Sequence, residues 1–203
     1  LAVTRNIVIA NNRVRNGEWK PAIGVDVCFK TLGIFGFGAI AKNVARRANG
    51  FGMKVLAYDP YVKEVPEEFK SFVTLSSIDE IIKNADIISM HLPLTDETRD
   101  MISAKEMAAM KDGAYIINTA RGGIVNEHDL YEAVKSGHIA GAALDVSEQE
   151  PMAEDNPLRT LENVIITPHI GMYSKIIVYC SAFSFYHNSE SVEIGSFFGG
   201  FPT

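Results

Sequence analysis

Cysteine is almost missing from this chain: Cys28 and Cys180 are the only two among 203 residues. Two thiols so far apart, without metal-ligand spacing, argue against a disulfide framework and make a reducing interior the default. Both are expected as packing residues, and no metal centre is expected. Positive charge is also scarce, with 19 Lys and Arg against 25 Asp and Glu and a formal charge of -6. That balance excludes a nucleic-acid surface, because phosphate binding needs clustered cations that release counterions. Long apolar runs are lacking too. None reaches the length of a membrane span, and the first residues lack the charged-then-apolar order of a secretory leader. No membrane partner is expected, and the cytoplasm is the expected compartment.

What the chain does have is 47% hydrophobic residues and a regular alternation of apolar runs with helical segments. That content can bury a real core. Strand-like runs fall at 32–36, 54–58, 86–90, 114–117, 141–145 and 163–166, with a weaker one at 72–74. The segments between them are long enough for helices. Ser77 and Ser103, each followed three residues later by Glu, mark capping boxes, and Asn126 is placed to cap a helix containing Leu130 and Val134. Repeated βα units imply right-handed crossovers. The expected fold is α/β, a Rossmann-type doubly wound parallel sheet with helices on both faces. The last 32 residues stand apart, holding eight of the chain's 18 Phe and Tyr residues.

Several of these runs end in a residue suited to chemistry. In a parallel sheet those ends share one edge, where open α/β folds bind ligands. Gly36-Phe37-Gly38-Ala39-Ile40-Ala41 follows the first run in the form G-x-G-x-x-A. Gly36 permits a tight turn, Gly38 lets a diphosphate approach the backbone, and the small Ala41 lets helix and strand pack closely. The first amides of the helix then face the phosphates. Asp59 lies 21 residues past Gly38, at the end of the next run. A carboxylate there accepts hydrogen bonds from ribose hydroxyls and repels a 2′-phosphate, and no Arg follows it. NAD is therefore favoured over NADP.

Asn118-Thr119-Ala120-Arg121-Gly122-Gly123 curls back from the fourth strong run, and its one charge, the planar guanidinium of Arg121, matches a carboxylate in a two-point contact. His169 follows the last run, and an imidazole can move a proton near neutral pH. Glu150 lies 19 residues earlier, so a loop, a turn and a strand could return both to the same edge. His91 also ends a run and is a candidate for lining the cofactor cleft. His128, His138 and His187 read as structural or exposed. Taken singly, each residue has a bland reading: Asp59 as an Asp-Pro turn, Arg121 as a surface cation, His169 as a solvated loop side chain.

Together they resemble the D-isomer-specific 2-hydroxyacid dehydrogenases, specifically their nucleotide-binding domain. The resemblance runs from about residue 1 to Gly171. It rests on Arg13-Val14-Arg15-Asn16-Gly17-Glu18-Trp19, the glycine turn, His91-Leu92-Pro93-Leu94-Thr95, Asn118 to Gly123, Ala143-Leu144-Asp145-Val146 with Glu150-Pro151, and Thr167-Pro168-His169-Ile170-Gly171. It implies that Arg121 holds and polarises the substrate, that His169 is the acid/base and that Glu150 hydrogen-bonds it. It further implies an NAD site built from Gly36, Gly38, Ala39, Ile40, Asp59, His91, Pro93, Thr98, Thr119, Ala120, Asp145 and Gly171, with Asp145 orienting the nicotinamide carboxamide. The implied reaction moves a hydride between NAD(H) and a small D-2-hydroxy or 2-oxo acid. Relatives pair through this domain, which implies a homodimer.

The same resemblance divides the chain into a linking helix and loop at 1–20, a dinucleotide-binding domain at 21–171 and a tail at 172–203 that would return to a substrate domain. Nothing in the sequence corresponds to that substrate domain, so the chain alone is expected to bind NAD and turn over slowly. Residues 176–187 lack the charged amphipathic pattern of the family's return helix. A second reading, from another class, is therefore a non-catalytic NAD-binding module that assembles with partners.

Overall fold

A computed structural model describes residues 1–173. Its core is a seven-stranded sheet built from β1 (Thr31–Phe35), β2 (Lys54–Tyr58), β3 (Val73–Leu75), β4 (Ile87–Met90), β5 (Ala114–Asn118), β6 (Ile139–Leu144) and β7 (Val164–Ile166). The spatial order is β3-β2-β1-β4-β5-β6-β7, and every pairing is parallel. All carboxyl ends therefore lie on one rim. The order reverses between β1 and β4, which opens the crevice where such sheets bind ligands. The expected strands are all present. The first ends at Phe35, leaving Gly36 free to turn, and the sixth runs Ile139–Leu144, so that Asp145 stands just beyond it.

The helices are α1 (Ile7–Arg15), α2 (Ala39–Gly50), α3 (Ile78–Asn84), α4 (Ala104–Ala109) and α5 (Glu127–Lys135), and α2 to α5 divide between the two faces. On one face Ala41, Ala45 and Ala48 of α2 meet Ile34, Val55 and Ala57. Methyl side chains at this helical spacing let α2 lie low on the sheet, which aims its amino end at the rim. Phe37 and Phe69 meet edge to face at 5.6 Å beside it. On the other face Ile81 and Ile82 of α3, Met107 of α4, and Leu130 and Val134 of α5 pack with Phe35, Ile88, Ile116 and Leu144. Each such fully buried Leu or Ile contributes roughly 1.5–3 kcal/mol. Successive residues Ile34 and Phe35 serve opposite faces, as the two-residue period of a strand requires.

Helix starts follow the sequence signals. Ser77 and Glu80 form a reciprocal capping box on α3, the Glu106 carboxylate accepts from the N–H and Oγ of Ser103 ahead of α4, and the Asn126 side chain accepts from the Asp129 amide. Helix α1 is the exception among the helices, because it buries none of its residues. Cys28 corrects one expectation: its thiol is exposed and does not pack. Cys180, His187 and the aromatic tail lie outside the described residues. Residues 1–169 form one compact unit; of the remainder, residues 170–173 make a turn in which the Tyr173 amide donates to the Ile170 carbonyl. Among the described residues no helix is long and apolar enough to cross a membrane, and no cluster of His, Cys, Asp or Glu could hold a metal ion.

Candidate active site at the carboxyl rim

At the crevice, Gly36 leaves β1 with φ +88°, and a Cβ on it would stand 2.7 Å from the His91 carbonyl oxygen. The turn therefore needs glycine for its own sake. Gly38 does not. Its backbone is extended, with φ -77°, and a Cβ there would meet nothing within 4 Å. The protein alone gives no reason for a missing side chain at Gly38, whereas a diphosphate lying against the backbone does. Gly38 is also the N-cap of α2, so the first amides of Ala39 and Ile40 have no carbonyl partner within the helix, and Ile40 is exposed.

Asp59 follows β2, and its carboxylate sits on this turn. Oδ2 accepts from the Phe37 amide at 2.7 Å and Oδ1 from the Tyr61 amide at 2.9 Å. A carboxylate has about four acceptor sites. Two amides fix it and leave capacity for a pair of hydroxyls, and no cation forms an ion pair with it among the described residues. The glycine turn, the helix end and Asp59 together fit the diphosphate and ribose of a dinucleotide.

His91 follows β4, and its amide donates to Phe35 across the switch point at 2.8 Å. Its ring Nε2 shares a hydrogen bond with Ser89 Oγ at 3.0 Å, and burial pushes its pKa down to about 4. At neutral pH it is uncharged. Pro93 and Thr98 belong to the next loop, which is braced by the Thr98 hydroxyl donating to the Pro93 carbonyl at 2.7 Å and accepting from the Thr95 amide at 2.8 Å.

Asn118 ends β5 and shapes the loop after it. Its Oδ1 accepts from the Ala120 amide at 3.1 Å and its Nδ2 donates to the Arg121 carbonyl at 2.8 Å. Thr119 and Arg121 are exposed on this loop and Ala120 is half-buried. Arg121 makes no ion pair among the described residues; its Nη1 donates to the Ala120 carbonyl at 2.6 Å, leaving most of its five donors unspent. A Cβ on Gly122 would overlap the Ser147 carbonyl at 1.9 Å, so this loop is seated directly on the segment that follows β6.

That segment begins with Asp145, which is buried and accepts from the Thr167 hydroxyl at 2.5 Å. Farther along it, Glu150 Oε1 accepts from the Ser147 amide at 3.2 Å, and Oε2 lies 2.9 Å from His169 Nδ1. The bond to His169, and after it the bond from Ser147, hold the Glu150 carboxyl below its ordinary range. An ionised carboxylate can only accept, so the ring proton sits on Nδ1 and Nε2 remains available. His169 itself has φ +53° just after β7. Gly171 lies in the 170–173 turn. The imidazole and its carboxylate thus stand on the same rim as the glycine turn.

One residue of this rim escaped the sequence reading. Glu127, which follows the Asn126 cap and was not singled out, reaches across to the Ser147–Asn156 segment. Acidic residues favour helix starts on dipole grounds alone, so its type carried no signal of that contact.

The family model for the NAD-binding domain of D-isomer specific 2-hydroxyacid dehydrogenases matches residues 1–171. The chain is 47% identical over 173 residues to D-3-phosphoglycerate dehydrogenase of Methanocaldococcus jannaschii, covering 84% of this chain and 33% of that protein. It is 45% identical over 180 residues to glyoxylate reductase of Korarchaeum cryptofilum, covering 86% and 54%. Among solved structures it resembles D-lactate dehydrogenase with NAD+ from Lactobacillus jensenii, with a TM-score of 0.76, 33% identity, and 88% and 58% coverage. The chain thus spans about a third to somewhat over half the length of these relatives. It belongs to the D-isomer specific 2-hydroxyacid dehydrogenases, and the part that matches is their NAD-binding domain.

Proposed function

We propose that this chain is the coenzyme-binding part of an NAD-dependent oxidoreductase that interconverts a small D-2-hydroxy acid and its 2-oxo acid. The observation that carries the reading is the 2.9 Å contact between Glu150 and His169 on the rim that also bears the glycine turn and Asp59. NAD, when bound, supplies the hydride donor or acceptor. The protein supplies the rest. Gly36, Gly38, Ala39 and Ile40 receive the diphosphate, and Asp59 the adenosine ribose. His91, Pro93, Thr98, Thr119 and Ala120 line the cleft, and Asp145 meets the nicotinamide carboxamide.

Arg121 pairs with the substrate carboxylate through its unspent donors and polarises the neighbouring carbonyl. In reduction, His169 gives the Nε2 proton to the carbonyl oxygen; in oxidation, Nε2 takes it back from the hydroxyl. Glu150 keeps the other ring proton on Nδ1, so Nε2 always faces the reacting oxygen.

Thermal unfolding with and without NAD tests the cofactor part. At a hundredfold excess over Kd, linkage stabilises the fold by about 2.7 kcal/mol, which raises Tm by roughly 5 °C or more. Asp59→Ala is expected to weaken binding about tenfold through loss of charge-assisted hydrogen bonds. Identical melting with and without NAD would remove the claim. NAD protection without hydride transfer to any 2-oxo acid, in a protein that also carries a substrate domain, would favour the binding-module reading.

A second copy of the chain is the partner proposed for the first 29 residues. Leu1, Ile7, Val14, Trp19, Ile23 and Phe29 are all exposed there. This stretch has four Lys and Arg against two acids, in a chain whose formal charge is -6, so a second copy offers complementary charge as well as apolar surface. Sedimentation is expected to give a dimer that Trp19→Glu with Ile23→Glu splits; a monomeric parent chain would refute it.

A further inference from the structure

Glu127 is the first residue of α5, a position where an acid ordinarily faces water and the helix dipole. Here its carboxylate is spent on another segment. Oε1 accepts from the Ser147 hydroxyl at 2.8 Å and from the Glu148 amide at 2.7 Å, and Oε2 accepts from Asn156 Nδ2 at 2.6 Å. The contact is reciprocal, because the Glu127 amide donates to Glu148 Oε1 at 2.9 Å. No Lys, Arg or His pairs with Glu127 among the described residues, so it does not serve as half of an ion pair.

The segment held in this way carries Glu150 between its two fastened points. Ser147, whose hydroxyl is on Glu127, gives its amide to Glu150 Oε1; the other oxygen of Glu150 takes the Nδ1 proton of His169. Glu127, Ser147, Glu150 and His169 therefore form one chain of hydrogen bonds. Glu150 is itself half open to water, with its side chain 42% exposed, so packing alone does not fix its carboxylate. Gly122, seated on the Ser147 carbonyl, ties the Arg121 loop to the same point.

We propose that Glu127 is a positioning residue: by clamping Ser147, Glu148 and Asn156 it fixes the Glu150 carboxylate, and through it the Nδ1–H form of His169. This rests on the reading above, in which His169 works through Nε2.

Long-range proton–nitrogen spectra of the histidine-labelled chain, at a pH where the imidazoles are neutral, read which ring nitrogen carries the proton. No cofactor or turnover is required, and His169→Gln assigns the signal. The parent chain is expected to show His169 with its proton on Nδ1. In Glu127→Ala that signature is expected to be lost to the Nε2–H form that free imidazole prefers, while the His91 and His138 signals stay in place. Glu127→Gln keeps the Oε1 acceptor and is expected to restore it. A helix-start acid of merely structural importance would lower Tm and leave the His169 signal alone. That result would overturn the proposal. A parent chain already in the Nε2–H form would instead sink the acid/base reading beneath it. Should Glu127→Ala fail to fold, Ser147→Ala combined with Asn156→Ala removes both side-chain contacts of the clamp, and an unchanged His169 signal in that variant refutes the proposal equally.

Discussion

Asp59 and Asp86 stand at opposite rims of one parallel sheet and differ in what their carboxylates touch. Asp86, at the amino end of β4, accepts from the Thr31 amide at 2.7 Å and from Lys111 Nζ at 3.0 Å, so it ties β1 to β4 and has its charge met. Asp59 is held by two backbone amides and has no cation among the described residues. The histidines repeat the contrast. His138, at the amino rim, has Nε2 on the Met107 carbonyl at 3.0 Å and Nδ1 3.5 Å from Asp112. His169 has only Nδ1 engaged among the described residues. Similar side chains thus close their bonds within the fold at one rim and keep acceptor or donor capacity at the other. Wiring, more than residue type, separates a group closed into the fold from one left open.

The largest effect that would test this division comes from Asp86→Ala. It strips the Thr31 amide and Lys111 of their partner and is expected to cost about 2 kcal/mol in denaturant unfolding while leaving the NAD-induced shift intact. Asp59→Ala is expected to do the reverse. Equal effects of the two variants on both measurements would erase the distinction between the rims.

A smaller effect concerns His91, which lies on the carboxyl rim yet is wired like a structural group. Its pKa in the fold is about 4 against an ordinary value near 6.5. Between those values the unfolded chain binds the extra proton, so stability is full above about pH 6.5 and is lost as pH falls toward 4. From pH 7 to pH 5 the loss is expected to be about 1–2 kcal/mol, and His91→Asn should flatten that slope. An unaltered slope in the variant would mean that His91 titrates normally and belongs with the open groups.

Much of the carboxyl rim was legible in the sequence because each strand is a short apolar run with a polar or glycine residue at its end. Ile87–Met90 is buried throughout and His91 follows at once; Ile139–Leu144 ends directly before Asp145. Local chemistry also marked the caps at Ser77 and Asn126, where a side chain meets a backbone a few residues away. Groups whose partners are distant were not legible. Glu127 meets Ser147 only because α5 and β6 intervene and bring the chain back. The places of Gly36 and Gly38 in the G-x-G-x-x-A order told their roles apart, but the His91 carbonyl that demands the first comes from a distant strand and only the backbone shows it. The exposed thiol of Cys28 was misread for the same reason, since burial is a property of neighbours.

β7 is three residues long and, among the described residues, pairs with β6 alone, at the margin of the sheet. The imidazole rides on its end, whereas the glycine turn grows from β1 at the centre, flanked on both sides. Fraying of that margin by a few residues would disconnect proton supply while the nucleotide cradle stays assembled, so the two halves of the proposed chemistry differ in how cheaply they can be switched off.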